Sequence, residues 1–512
     1  MKRTHLLVIL DGWGIGAKNE TNPIHVANPP HFEYLKRHFP MGSLQASGIA
    51  VGLPWEEEGN SEVGHVTIGS GKVLYQHFPK ITLAIRDKSF FKNETLNQAA
   101  DFALQNNGTL HLAGLLTKGN VHASLDHLKA LLQFATEKNV PVALHLFADG
   151  KDSPPKSFLS LIKEVPREII ASVSGRYYAM DRDMHWERTE QAYRAIVGTA
   201  PIIKNPEEEA EKVFKNDLIE EYMEPTNHEG GPGGVKDGDS LIFFNFREDS
   251  MRQLVEAFAL QNFEHFATAP LQNVFIATMT TYSDRFPLPV LFPTEKVEQP
   301  LTRVLADKNL MQLHIAETEK YAHVTYFFNG YKDPPFSGEY RILVPSRNVA
   351  RHDEYPQMMA EEITSRVVRA LDERAFDFIV INYANPDTIA HTGNFMAGVR
   401  AVEIIDNCIG QLVEKILEVN GIMIITSDHG NIEQMTEPFT GLPETKHNKS
   451  PVPVHLIGRA YERERGDAEI EQKETQTMGI ISDIAPTILD LMQIPIPKEM
   501  TGQTLLPLLA YY

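Results

Sequence analysis

Five short apolar runs constrain this chain more than any other feature. They are residues 6–10 (LLVIL), 142–147, 241–246, 377–382 (DFIVIN) and 422–426 (IMIIT). None alternates cleanly between apolar and polar residues, so each predicts a strand covered on both faces, as in a mostly parallel sheet flanked by helices. Helical patterns lie between the runs, which defines an α/β chain. The clearest spans residues 401–419, where Ile404, Ile405, Cys408, Ile409, Leu412, Ile416 and Leu417 recur at helical spacing before Asn420-Gly421, a plausible left-handed cap. Cys408 falls on that stripe and reads as core rather than as a nucleophile.

At 512 residues, with 42% apolar and 23% charged residues, the chain can bury two large α/β domains or three of average size. Two proline-bearing stretches, residues 75–79 and 287–300, mark domain crossings and suggest one domain inserted into another. Lys+Arg total 48 against 68 Asp+Glu, a formal charge of −20, which argues against non-specific binding to nucleic acid. The lone Cys408 cannot form an internal disulfide, which favours a reducing compartment. The run at 6–10 is shorter than the roughly 7–15 residues of a signal peptide or the roughly 20 of a membrane span. A cytoplasmic protein with no membrane partner is therefore expected.

Acids and histidines cluster where the runs end. LLVIL leads into Asp11, DFIVIN into Asp387 and His391, and IMIIT into Asp428-His429, while His447 precedes a strand-like segment at 452–457. In an open parallel sheet, ligands bind at the carboxyl ends of strands, so these loops can meet on one rim. Three Asp and three His there supply oxygen and imidazole ligands for two divalent ions. Each piece has a plainer reading alone: Asp387 and His391 as a solvated i,i+4 pair, Asp428 as a helix cap. Their coincidence at three strand ends favours the metal reading. Ser61, within Gly59-Asn-Ser-Glu-Val-Gly-His65, is a candidate nucleophile near a helix start, where backbone N–H groups favour anions. Its plainer role is an N-cap. No Gly-x-Ser-x-Gly elbow surrounds it, so activation by metal is the better expectation.

Together these residues make the chain resemble the cofactor-independent (2,3-bisphosphoglycerate-independent) phosphoglycerate mutases of the alkaline phosphatase superfamily. The likeness spans essentially the whole length: LDGWG at 10–14, ASGIAVGLP at 46–54, GNSEVGH at 59–65, GRYYAMDRD at 175–183, NFR at 245–247, ETEKYAHVT at 317–325, NYANPDTIAHTG at 382–393, TSDHGN at 426–431 and PVPV after His447. It implies a discontinuous phosphatase-like domain at 1–76 and 300–512, and an inserted α/β substrate domain at 77–299. It also implies two Mn²⁺ ions, with Co²⁺ or Zn²⁺ as alternatives. One would be held by Asp387, His391 and His447, the other by Asp11, Asp428, His429 and the oxygen of Ser61. Ser61 would be transiently phosphorylated, with Lys320 beside it. His122, Lys151, Asp152, Arg182, Arg188 and Arg247 would bind the glycerate, and Asp152 would exchange the proton with its hydroxyls. The implied reaction interconverts 3- and 2-phosphoglycerate in glycolysis, in a monomer whose partner is that small molecule. Closure of the two domains would keep water from the phosphoserine.

Four departures from the family pattern fall in the inserted domain. Ser250 stands where an arginine is usual, His185 replaces another arginine, Lys151 replaces a third, and Ala123-Ser124 removes a histidine. A lysine keeps charge but loses the bidentate fork of arginine. They leave open a divergent phosphomonoesterase or phosphopentomutase of the same superfamily, or a catalytically impaired paralogue.

Overall fold

The computed structural model describes residues 3–509. The chain forms two compact units, Met1–Tyr75 with Lys296–Tyr512, and Gln76–Glu295.

The first unit is built on an eight-stranded sheet. Its order is Glu339–Val344, Gln312–Glu317, Phe378–Tyr383, His5–Leu10, Ile422–Thr426, Val452–Ile457, Met41–Gln45 and Thr477–Ile480. Only Val452–Ile457 runs against the others. His5–Leu10 shows why the apolar runs do not alternate. Leu6, Val8 and Leu10 pack into one core, with Ile405, Cys408, Ile409 and Leu412 of the helix Phe395–Glu418. Leu7 and Ile9 pack into the core on the opposite face, with Ile484 and Ile488. Both faces are covered, so every residue of the strand is buried. The helix starts six residues before the apolar stripe predicts, because the Asn394 side chain caps it by accepting the Ala397 N–H at 3.2 Å. Asn420, at φ 57°, follows its end in the left-handed region, as the sequence predicts.

The second unit carries a seven-stranded sheet in the order Ile202–Ile203, Thr226–His228, Ile170–Gly175, Val142–Ala148, Leu110–Leu116, Ser240–Phe243 and Phe275–Thr278. The five strands from Ile170–Gly175 to Phe275–Thr278 are parallel. The strand expected at 241–246 ends at Phe243. Beyond it the Asn245 side chain, rather than a continuing ladder, accepts the Leu115 N–H at 2.8 Å. No helix among the described residues is long and apolar enough to cross a membrane.

Buried histidines make both units acid-sensitive. Burial pushes His455 in the first unit and His127 in the second down to about 3 from an ordinary 6.5. Between those values the unfolded chain takes up a proton that the folded chain does not. Stability present above pH 6.5 is therefore lost as pH falls, by about 1.4 kcal/mol per pH unit for each group. Urea unfolding at pH 7, 6 and 5 is expected to show this slope, and His127→Gln to flatten it by one group's share. Equal slopes in the two proteins would contradict the assignment.

Candidate functional site

Four neighbouring parallel strands of the first unit end on one rim. Gln312–Glu317 leads to Lys320, Phe378–Tyr383 to Asp387 and His391, His5–Leu10 to Asp11, and Ile422–Thr426 to Asp428 and His429. Asp387 lies on the short helix Asn385–Ala390, and His391 follows as its C-cap. Ser61 opens the helix Ser61–Ser70, but the capping role belongs to Asn60, whose side chain accepts the Val63 N–H at 2.9 Å. The Ser61 hydroxyl is thereby released from capping. Gly64 lets this helix approach the rim, since a Cβ there would lie 2.6 Å from Asp428 Cβ.

The Ser61 hydroxyl donates to Asp11 Oδ1 at 2.9 Å and lies 3.0 Å from His429 Nε2. Lys320 Nζ donates to Ser61 Oγ at 2.7 Å, Asp11 Oδ1 at 2.6 Å and Asp387 Oδ2 at 2.7 Å. His391 Nε2 and His447 Nε2 lie 3.1 Å and 3.2 Å from Asp387 Oδ1. Burial opposes every charge here, and the charges offset it for one another. Burial would raise Asp11, but the Lys320 ammonium and His429 hold it below the carboxylate range. Burial would lower Lys320, but Asp11 and Asp387 raise it above the ordinary lysine value. Burial would lower His429, but Asp428 and Asp11 lift it to about 9.

The donor set fits a pair of divalent cations. Asp387, His429 and His447 present ligand atoms within 4.8 Å of one another, and Asp11, Asp428 and His429 form a second such group. His391 Nδ1 faces the Thr445 carbonyl at 2.7 Å, His447 Nδ1 the Gly59 carbonyl at 2.9 Å, and His429 Nδ1 the Gly430 carbonyl at 3.3 Å. Each carbonyl favours the tautomer that leaves Nε2 free as a ligand. Asp428 Oδ2 is buried without a hydrogen bond, and its neighbour His65 Nδ1 is held by the Ser61 carbonyl at 2.8 Å. Several supporting residues escaped the sequence reading, although Asn382 and Asn431 sit inside the quoted motifs and Glu433 lies just beyond one of them. Asn382 donates to Asp11 Oδ2 at 2.7 Å, and Asn431 to Asp387 Oδ1 at 2.9 Å. Glu433 Oε2 accepts the N–H groups of Gly14 and Asn431 at 2.8 Å and 2.9 Å, tying two ligand-bearing loops together.

In the second unit, His122, Lys151, Arg182, Arg188, Arg247 and Ser250 line one cleft of 320 Å³. Its cations are already paired with carboxylates. Asp249 Oδ2 lies 2.8 Å from Arg182 and 3.1 Å from Arg247, Asp181 holds Arg188 at 3.0 Å, and Glu221 holds Lys151 at 2.6 Å. Arg188 also stacks over Tyr177 at 4.0 Å. Of the departures, His185 pairs with Asp181 at 3.0 Å, and Ser250 places a buried hydroxyl without a partner at the cleft. Asp152 sits beside His122, bonded to its Nδ1 at 2.7 Å. Arg176 was missed by the sequence reading. It donates to Asp149 Oδ1 at 2.6 Å and to Asp152 Oδ1 at 2.8 Å. Lys320 belongs to the serine rim, not to this cleft.

Comparison with known proteins gives this arrangement a class. The Metalloenzyme superfamily model matches residues 3–496. At finer grain, a 2,3-bisphosphoglycerate-independent phosphoglycerate mutase of Thermomicrobium roseum is 43% identical over 98% of this chain and 97% of its own. That of Francisella philomiragia is 44% identical over 99% of both. A Leishmania mexicana phosphoglycerate mutase, solved at low cobalt concentration, matches with TM-score 0.52 and 28% identity, over 98% of this chain and 97% of that one. The chain belongs to the 2,3-bisphosphoglycerate-independent phosphoglycerate mutase family.

Proposed function

We propose that the protein interconverts 3-phosphoglycerate and 2-phosphoglycerate without a bisphosphoglycerate cofactor, by passing the phosphoryl group through Ser61. The observation that carries this reading is a buried serine hydroxyl within 3.0 Å of a lysine, a carboxylate and an imidazole of a cation-binding donor set. Family membership and the arginine-lined cleft support it. Asp387, His391 and His447 would hold one Mn²⁺, and Asp11, Asp428, His429 and Ser61 the other; Co²⁺ or Zn²⁺ accept the same ligands. Bound ions would favour the deprotonated serine and offset charge on the phosphoryl group. Lys320 adds a fixed positive charge at the serine oxygen, where charge changes during transfer. The unit Met1–Tyr75 with Lys296–Tyr512 would act as the phosphatase-like part, and Gln76–Glu295 as the part that holds the glycerate. In its cleft, Arg182 and Arg247 would exchange Asp249 for an anionic group of the substrate, and Arg188 and Lys151 would add charge nearby. In a chain whose net charge is −20, such a cleft concentrates an anionic substrate locally. The reading places the protein in glycolysis, in the cytoplasm, as a monomer.

Phosphorus NMR of purified protein with 3-phosphoglycerate and Mn²⁺, in the absence of bisphosphoglycerate, is expected to show 2-phosphoglycerate forming. Chelation should stop turnover and added Mn²⁺ restore it. Release of inorganic phosphate alone would instead identify a phosphomonoesterase, and tight metal binding without turnover a non-catalytic relative.

A further inference from the structure

The four strands whose carboxyl ends form the rim also begin side by side, and a groove of 1130 Å³ lies at those amino ends. Its lining residues all belong to the first unit. Strands of five or six residues separate it from the rim, a span of about 15–20 Å. We propose that this groove is a second ligand site and takes a nucleoside triphosphate, its phosphates on the basic part of the lining and its base on the apolar part. Such a site stands apart from the mutase reading, because none of its residues belongs to the rim or to the glycerate cleft.

Charge is the first argument. Arg3, Lys308, Arg374 and Arg459 line the groove, against the carboxylates of Asp377 and Glu418. His5, also in the lining, adds no charge near neutral pH, since burial pushes it down to about 4. Both acids are already engaged: Glu418 holds Lys415 at 2.7 Å, and Asp377 Oδ2 accepts the Met311 N–H at 2.8 Å. In the glycerate cleft the arginines named above are matched by carboxylates. Here, among the described residues, Arg3, Lys308 and Arg459 have no carboxylate partner, and Lys308 Nζ has no partner of any kind. Like charges gathered in one concavity repel, and an anion placed between them relieves that repulsion. In a chain whose net charge is −20, the groove is a local attractor for anions.

Two of the cations are also held in place. Arg459 Nε donates to the Leu417 carbonyl at 2.8 Å, in the last turn of the helix Phe395–Glu418, and Arg3 Nε to the Asn420 carbonyl at 3.2 Å, just past its end. Cations at a helix C-terminus offset the exposed carbonyls, and that accounts for both Nε bonds. It leaves the Nη groups unused, and these are the forked donors that grip phosphate oxygens in pairs. A guanidinium fixed through Nε has less rotamer freedom to lose when a ligand arrives.

Size and polarity select the anion. The volume is above the roughly 300–1,000 Å³ of ordinary small-molecule pockets, so a lone phosphate would fill only a fraction of it. A nucleic acid would lay most of its phosphates against the acidic remainder of the surface, which the net charge opposes. A short run of consecutive phosphates matches several cations at once. The rest of the lining is apolar: Leu310, Met492 and Ile494 are half-buried and pack on the core that holds Leu305 and Leu489. Apolar side chains beside charged donors suit a ligand with a flat heterocycle at one end and phosphates at the other.

The test titrates the full-length protein by calorimetry with ATP, tripolyphosphate, orthophosphate and adenosine. Wild type is compared with Arg3→Gln, Arg459→Gln, their double variant and Arg366→Gln. Arg366 is an exposed arginine outside the groove, paired with Glu362 at 2.7 Å, so its replacement makes the same charge change elsewhere. Arg3 and Arg459 are exposed, so replacing them leaves the core packed. Wild type is expected to bind ATP about tenfold or more tightly than orthophosphate or adenosine, and more tightly than tripolyphosphate. Arg3→Gln and Arg459→Gln should each weaken ATP binding by about tenfold, as for a lost hydrogen bond to a charged group, and Arg366→Gln by less than about twofold. ATP should raise the Tm of wild type and not that of the double variant. Equal ATP affinity in wild type and the double variant would put the nucleotide elsewhere, the rim included, and overturn the proposal. An equal loss in Arg366→Gln would mark a net-charge effect and overturn it as well. Tripolyphosphate binding as tightly as ATP overturns the nucleotide assignment. None of these readouts uses turnover, so a protein that forms no 2-phosphoglycerate yet shows this ATP pattern sinks the mutase reading and leaves the groove's role standing.

Discussion

Replacing Ser61 with alanine is expected to reduce interconversion of the phosphoglycerates by about 10⁴-fold or more, because the covalent route has no second acceptor. The variant should nevertheless fold. Asn60, not Ser61, caps the helix, so the substitution removes a hydroxyl without removing a cap. It leaves Lys320 bonded to Asp11 and Asp387, so the buried charges stay paired. Intact-protein mass spectrometry after mixing with 3-phosphoglycerate should find a phosphorylated species in wild type and none in Ser61→Ala. Near-normal turnover by the alanine variant would eliminate the phosphoserine route and leave direct transfer between substrate oxygens.

The second large effect concerns Lys320. Its ammonium lies among three acids in a rim where Asp11 and Asp428 are fully buried. Removing one partner of a buried ion pair leaves an uncompensated charge, which typically costs about 3–5 kcal/mol. Lys320→Met should therefore be strongly destabilised when metal-free, as read by urea unfolding in chelator. Mn²⁺ should restore much of the loss, since divalent cations offset the same carboxylates. Turnover should fall by about 10²–10³-fold even when the variant is metal-saturated, because a fixed charge beside the transferring oxygen is lost. Equal stabilities of wild type and variant in chelator would show that Lys320 does not offset the acids.

The strand cores and the rim residues were legible for the same reason. A parallel strand covered on both faces needs an unbroken apolar run, and its chemistry must begin where the run stops, so LLVIL-Asp11 and IMIIT-Ser-Asp428 announce both at once. Strands with weaker runs were not legible. Met41–Gln45 and Thr477–Ile480 lie at one edge of the sheet and contain Gly42, Ser43 and Gly479, which carry little strand preference. The run at 241–246 misled because Phe244 and Phe246 are as apolar as the strand itself; only the Asn245 side chain, by satisfying Leu115 N–H, ends the ladder.

In the second unit the identities of the cleft residues came from motif likeness, and their pairings did not. No local pattern shows that Asp249 lies between Arg182 and Arg247, or that Arg176 at the head of GRYYAMDRD reaches back to Asp149 and Asp152. Except for Arg247 and Asp249, which are neighbours in the chain, those contacts join residues 24 to 67 positions apart.

The sequence by itself determined which residues are available: the covered strands, the three aspartates and two histidines that follow them, His447 ahead of a further strand, and a serine at a helix start. Tertiary structure alone decided how they are used. It set four strands side by side in one register, inserted Lys320 among the acids, gave the helix cap to Asn60 and bound Asp152 to His122 and Arg176. The physical reason is that composition fixes what a side chain can donate or accept. Which partner it meets, and whether water still reaches it, depends on the packing of elements remote along the chain.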